Sequence, residues 1–428
     1  MPLPIQGWRD AKGNDSWPTN YGGGGYVGPE PLRTAMAKSH NTAAAYTLMY
    51  RVGVERSVDF LHRMGIDDGH IDATPFGLSL GSSGITPLQM TVAYGVLANG
   101  GVYQEPISVL GISDSNGNVV WDGHQHQDRR RVFSDSTSWM IVDMLKSVVS
   151  SGTGTSAKIK GQVVGGKTGT NSDQKGVFFA GMTGYYSSAL WIGHDNYKAL
   201  SSKSTGSGAA APLWQAYMQK LHEGLPKKEI LEGSASDYRV VKVETCAVSG
   251  QLATDACRND SMGYGTVTDY WARGTEPTTY CQMHVTETVC ADTGMVASPW
   301  CPNPVQRGVI SIPAGHPLYA FLGTRYQDVL EQYLGTAAAS SGTVCTFHNE
   351  QNQNSGISPT TAALISDARV LLASAESMLQ GMDPSSGAYQ AVNNAAASLE
   401  SIIMQDSPGQ SEVAAAMAML TQAMAGIY

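Results

Sequence analysis

The first 228 residues predict an α+β fold, and three observations carry that reading. Helical periodicities alternate with short β-type runs along residues 1–228. The β-type runs lie close together in sequence, as strands of one mixed layer do. The chain of 428 residues is 42% hydrophobic and 15% charged, which is enough apolar material for a buried core. Two further stretches differ in kind. All six cysteines fall between Cys246 and Cys345, and residues 358–428 read as helix throughout.

The elements follow in order. Pro31–Lys38 is a short helix with proline at its start. Residues 42–65 are a longer helical region, punctuated near Gly53. Thr86-Pro87 opens a helix running to Ala98, with Thr86 as N-cap, and Asn99-Gly100-Gly101 ends it. Ile107–Ile112 and Val119–Trp121 flank Asn116-Gly117, a hairpin signal. Ser134 caps a helix that carries Trp139, Val142, Leu145 and Val149 on one side. Val163-Val164, Val177–Ala180 and Ala189–Ile192 read as strands, and the Ser/Gly/Ala-rich residues 196–211 as a mobile loop.

Charge and leader chemistry exclude some roles. The formal net charge of -9 argues against nucleic acid as a partner, which requires a dense basic face. No stretch reaches the roughly 18 apolar residues of a membrane span. The N-terminus has neither the basic start nor the apolar middle of a signal peptide.

The cysteines repeat a pattern. Cys246-Ala-Val-Ser-Gly-Gln-Leu-Ala-Thr-Asp-Ala-Cys257 matches Cys290-Ala-Asp-Thr-Gly-Met-Val-Ala-Ser-Pro-Trp-Cys301. Each unit then ends in Cys-x-x-His, at Cys281 to His284 and at Cys345 to His348. This is an internal duplication over 237–350. Each unit offers three Cys and one His, a set that could ligate zinc tetrahedrally. The same cysteines could close Cys246–Cys257 and Cys290–Cys301 as disulfide loops and leave Cys281 and Cys345 to pair. Disulfides are preferred because the ligand spacings exceed those of the familiar zinc fingers. They imply an oxidising, extracytoplasmic setting.

In 358–428, Ser358-Pro359 caps the first of three helices, and Leu364, Ala368, Leu371, Ala375 and Met378 form an amphipathic stripe. Pro384 and Pro408 precede the second and third helices, and Met417, Met419 and Met424 are read as core. The module resembles the small three-helix FIVAR repeats of Gram-positive surface proteins.

Two short motifs carry chemistry. Ser39-His40-Asn41 sits between two predicted helices, and Gly165-Gly166-Lys167-Thr168-Gly169-Thr170 follows an apolar run. Each alone is weak, reading equally as a helix cap and as an exposed edge strand. Their surroundings add order: Trp17-Pro18-Thr19-Asn20-Tyr21, Gly28-Pro29, Leu32-Arg33-Thr34-Ala35-Met36-Ala37-Lys38, then Thr86-Pro87-Leu88-Gln89-Met90, Ala98-Asn99-Gly100-Gly101, Arg130-Arg131-Val132 and Gly152-Thr153-Gly154. Taken together, residues 17 to about 222 resemble the transpeptidase domain of class A penicillin-binding proteins. The Cys module, with Gly274-Thr275-Glu276-Pro277, looks like the tail that follows many such domains.

The resemblance implies an incomplete penicillin-binding transpeptidase (serine β-lactamase-like) domain over 1–228, followed by a Cys-rich module and a three-helix module. It implies serine acyltransfer in peptidoglycan biosynthesis, on the extracytoplasmic face of a bacterial cell wall, with stem peptides and β-lactams as partners and no cofactor. Lys167 would supply positive charge, Thr168 and Thr170 would meet the substrate carboxylate, and Gly169 would let substrate lie along the strand. The Thr170 N–H would serve the oxyanion, Ser39 would relay a proton, and Asn41 would hold the acyl-side amide. One part is missing. The family's Ser-x-x-Lys nucleophile should lie upstream of Ser39, and the 38 residues there contain none. The sole match, Ser172-Asp173-Gln174-Lys175, stands at the wrong position. The expectation is a fragment cut inside the transpeptidase domain, inactive alone and open in its core. The alternative is a non-catalytic cell-wall binding protein.

Overall fold

The computed structural model describes residues 18–21, 26–335, 344–348, 359–405 and 408–426. Trp17, Ser358 and the polar run from Gln351 lie outside them. The chain divides into two compact units: Met1–Thr254 with Tyr264–Gln282 and Gly323–Tyr333, and Asp255–Gly263 with Met283–Leu322 and Leu334–Tyr428. The division falls inside the Cys-rich stretch.

The first unit opens with α1 (Leu32–Lys38), α2 (Asn41–Thr47), α3 (Val54–Arg63), α4 (Pro75–Leu80) and α5 (Pro87–Ala98). Gly53, at φ 85°, makes the predicted break between α2 and α3, a conformation that L side chains resist. Thr86 and Gln89 form a reciprocal capping box at α5, with Gln89 N–H donating to Thr86 Oγ1 at 3.2 Å and Thr86 N–H to Gln89 Oε1 at 3.0 Å. The strands β1 (Val102–Gln104), β2 (Gly111–Ser113) and β3 (Val119–Asp122) follow, then α6 (Gly123–His126) and β4 (Arg129–Arg131). The predicted hairpin is shorter on its first side, because residues 107–110 stay outside the ladder. Ser134 caps α7 (Asp135–Ser151) by accepting from Thr137 N–H at 3.2 Å.

A three-stranded antiparallel sheet forms the centre, in the order β5 (Gly165–Thr170), β6 (Gly176–Met182), β7 (Ser187–Gly193). The Val163-Val164 strand expectation shifts forward to Gly165, and Val164 is core instead. The predicted loop over 196–211 is only half right. Gly206–Ala210 is a π-helical turn leading into α8 (Ala211–Leu221), with Thr205 accepting from Gly208 N–H. Small residues placed Ala210 and Ala211 fully inside, which composition alone reads as loop. Phe179, Trp214, Met218 and Val177 pack with Val149, Ala157 and Ile159 in one core. The open core expected of residues 1–228 is therefore not found around the sheet. The first helices do bury little: Ala45 alone in α2 and nothing in α3.

The hairpin of β8 (Val240–Cys246) and β9 (Thr266–Ala272) also belongs to this unit. Arg33 anchors it to α1 and α7, donating from Nε to Asp269 Oδ2 at 2.9 Å and pairing through its Nη2 with Asp143 Oδ2 at 2.8 Å. Trp139 meets Tyr270 edge-on at 4.8 Å.

The second unit holds α9 (Asp255–Arg258) and the hairpin of β10 (His284–Cys290) and β11 (Pro304–Ile310); α10 (Gln327–Leu334) ends at the division. The duplication is visible atom by atom. Cys246 N–H donates to Gln251 O at 2.8 Å and Cys290 N–H to Met295 O at 2.7 Å. Gly250 and Gly294 take φ of 72° and 70° at matching places, and Cys281 N–H bonds Leu252 O as Cys345 N–H bonds Val296 O. None of the six cysteines forms a disulfide, and all are buried. In the turns expected to be Cys246–Cys257 and Cys290–Cys301 loops, Gly250 N–H donates to Cys246 O and Gly294 N–H to Cys290 O, both at 2.9 Å.

Three helices, α11 (Pro359–Leu379), α12 (Gly387–Ile403) and α13 (Gln410–Ala425), follow as expected. They share a core of Ala368, Ala375, Val392, Leu399, Val413, Ala416 and Leu420. Met417 and Met424 pack against it, whereas Met419 is 57% exposed and is not core.

Candidate active site

Ser39 ends α1 in the left-handed conformation, at φ 61° and ψ 47°. Its N–H donates to Met36 O at 3.2 Å, and the next N–H, of His40, reaches back to Ala35 O at 2.9 Å. Such a turn favours glycine, and a side chain there costs on the order of 1 kcal/mol. His40 then caps α2 from extended backbone, its Nδ1 2.6 Å from Glu30 Oε1. Asn41 starts α2 and donates from Nδ2 to Thr19 O at 2.9 Å. The sharp reversal lifts the Ser39 hydroxyl out between two helices.

β5 delivers the second motif. It lies at one edge of the sheet, in register Lys167↔Ala180, Thr168↔Phe179, Gly169↔Phe178 and Thr170↔Val177. The Lys167 ammonium donates to Ser39 Oγ at 2.7 Å and to Thr168 O at 3.1 Å, joining residues 128 positions apart. Burial alone lowers its pKa from 10.5 to about 8, since desolvation disfavours the charged form. The lysine is thus cationic at neutral pH yet within reach of giving up its proton. Because Ser39 Oγ accepts from it, the serine's own O–H is left to point elsewhere.

A supporting ring fixes the strand. Thr168 Oγ1 lies 2.7 Å from Thr153 Oγ1, and Thr153 N–H bonds Ala37 O at 3.0 Å. Gly152 must be glycine here, because a Cβ would meet Ala37 O at 2.3 Å. Ser207 Oγ donates to Thr153 O at 2.7 Å, and Gly206 N–H donates to Thr170 Oγ1 at 2.9 Å. A Cβ on Gly206 would meet Gly169 O at 2.6 Å and Phe178 O at 2.9 Å. Gly169 is confined by this packing, its own Cβ position lying 3.1 Å from Phe178 Cβ.

The structure therefore brings Ser39, Lys167 and Thr168 together, holds Thr170 against Gly206, and puts Asn41 two residues past Ser39 at the start of α2, with its amide on Thr19 rather than on Lys167. Thr153, Gly206 and Ser207 carry supporting contacts that their motifs did not reveal. Gly152-Thr153-Gly154 was visible as a motif, and Thr205-x-x-Gly208 was a cap signal inside the Ser/Gly run. The Ser-x-x-Lys at 172–175 is a 3-10 turn between β5 and β6 in which Asp173 and Gln174 have positive φ. That backbone is not a turn of α-helix.

Residues 5–219 match the penicillin binding protein transpeptidase domain, and residues 239–286 the C-terminal domain of penicillin-binding protein 1A. Penicillin-binding protein 1A of Clostridium botulinum is 34% identical over 282 residues, covering 65% of this chain and 33% of the relative. That of Aquifex aeolicus is 35% identical over 220 residues, covering 51% and 29%. The crystal structure of penicillin-binding protein 1A from Haemophilus influenzae shares the fold, with a TM-score of 0.53 and 24% identity over 66% of this chain and 45% of that one. The chain belongs to the penicillin-binding transpeptidase family, on its class A branch. It spans about a third of the length of the curated relatives it matches.

Proposed function

We propose that this chain carries the carboxylate-binding half of a peptidoglycan DD-transpeptidase acylation centre, and that these 428 residues do not acylate by themselves. The observation that carries the reading is the 2.7 Å contact between Lys167 Nζ and Ser39 Oγ. A buried ammonium beside a hydroxyl attracts a terminal carboxylate and can pass a proton through the serine. Thr168 and Thr170 add hydroxyls, and the Thr170 N–H serves the oxyanion. Asn41 donates one Nδ2 hydrogen to Thr19 O, which leaves Oδ1 and its second N–H for the substrate amide. β5, at a sheet edge, suits an extended D-Ala-D-Ala peptide laid beside it.

The nucleophile is the absent part. Oxyanion and binding groups do not replace an attacking hydroxyl. Placement on the extracytoplasmic face rests on the family. Among the described residues no helix is long and apolar enough to cross a membrane.

Two measurements test this. A fluorescent penicillin should leave no covalent label on the full chain; a stable adduct would overturn the inactivity. Ligand-observed NMR should show an N-acyl-D-Ala-D-Ala peptide binding, roughly 10–100-fold weaker in Lys167→Met as a charge-assisted hydrogen bond is lost. Equal binding of the L-Ala-L-Ala peptide, or none of either, would contradict the assignment.

A further inference from the structure

The second Cys repeat converges on one point. Cys290 closes β10, Cys301 follows its turn, and Cys345 and His348 arrive from 44 and 47 positions after Cys301. One ligand atom from each lies within 4.8 Å of every other. His348 Nδ1 is 3.2 Å from Cys290 Sγ and 3.6 Å from Cys345 Sγ. Tetrahedral zinc, with Zn–S near 2.3 Å and Zn–N near 2.0 Å, sets donors about 3.5 Å apart.

Three independent features separate this from a chance cluster. The four side chains are buried, at 0% for Cys290, 8% for Cys301, 3% for Cys345 and 2% for His348, with Ala297 and Phe347 closing the shell. The imidazole is held from behind: its Nε2 is 3.3 Å from Asp292 Oδ2, which turns Nδ1 towards the sulfurs. A carboxylate on the far nitrogen of a histidine is how ligating imidazoles are oriented. Finally, Ser298 N–H donates to Cys301 Sγ at 3.2 Å, a contact that favours thiolate.

We propose that Cys290, Cys301, Cys345 and His348 bind one zinc ion, with Asp292 orienting His348. Four protein donors leave no open position, so the site is structural and ties β10 to the segment 344–348. Binding displaces the three thiol protons to solvent. A disulfide would use two of the sulfurs and strand the third beside the imidazole.

The test uses the full chain, purified without chelator. Metal analysis should find zinc, and Cys345→Ser should lower the content by one equivalent while the first repeat keeps its sequence. Cobalt added to chelator-stripped protein should give the absorption of tetrahedral thiolate-bound cobalt, and Asp292→Asn, which keeps all four ligands, should weaken cobalt affinity about 10–100-fold. Zinc content unchanged in Cys345→Ser, no thiolate–cobalt absorption in the wild type, or a Cys290–Cys301-linked peptide in a non-reducing digest would overturn the proposal.

Discussion

The Lys167 cluster and the Cys290 cluster are both buried and polar, and they are finished to different degrees. Around Lys167, the cation has a hydroxyl and a carbonyl for company, and desolvation is the cause that moves its pKa. The charge is incompletely satisfied, which suits a site that awaits an anion. Around Cys290, four donors face each other and a carboxylate locks the histidine from outside. A site left short of partners is built to exchange them; a site that closes on itself is built to hold.

The largest effect that would break this contrast is metal removal. Stripping zinc, or Cys345→Ser, should destabilise the second repeat by about 3–5 kcal/mol, read as early loss of protection of the β10–β11 amides in hydrogen exchange. Protection that survives would mean the closed cluster holds nothing. Next comes Gly206→Ala, whose methyl meets backbone at Gly169 and Phe178. Backbone yields little, so a loss of about 2–3 kcal/mol is expected in denaturant unfolding. A neutral outcome would show that the ring around Thr170 is loose.

The smallest effect sharpens the comparison most. Ser39→Gly relieves a left-handed serine and should gain about 0.5–1 kcal/mol of stability, while removing the hydroxyl that Lys167 touches. Stability up and peptide binding down would mark Ser39 as strained for function. A loss of stability would assign it a structural role.

Much of this was legible in the sequence. Ser39, Asn41 and Lys167–Thr170 were singled out by two short motifs, weak alone, within an ordered run of segments that resembles the family. Thr86-Pro87 and Ser134 located helix starts because capping is local. The duplication was readable, and so was its set of three cysteines and one histidine. What was not legible depends on tertiary approach. Spacing favoured disulfides over a metal, but it does not show that Cys345 and His348 meet Cys290 and Cys301 across a long connection. Gly206 and Ala210 looked like linker because tight packing of small residues and flexible chain have one composition. Asn41 turned to Thr19, a partner 22 residues away that no motif names.

The most direct test of the central claim is an NMR titration of the Lys167 ammonium in the full chain, assigned with Lys167→Arg. Burial sets its pKa at about 8, against 10.5 for an exposed lysine. A depressed folded value has a defined consequence: between about pH 8 and 10.5 the unfolded chain holds the extra proton, so stability rises with pH across that window and the gain is lost as pH falls through 8. Peptide binding runs the other way, weakening as the cation is lost above pH 8. A Lys167 that titrates near 10.5, unmoved in Ser39→Gly, would contradict the buried pair on which the acylation reading stands.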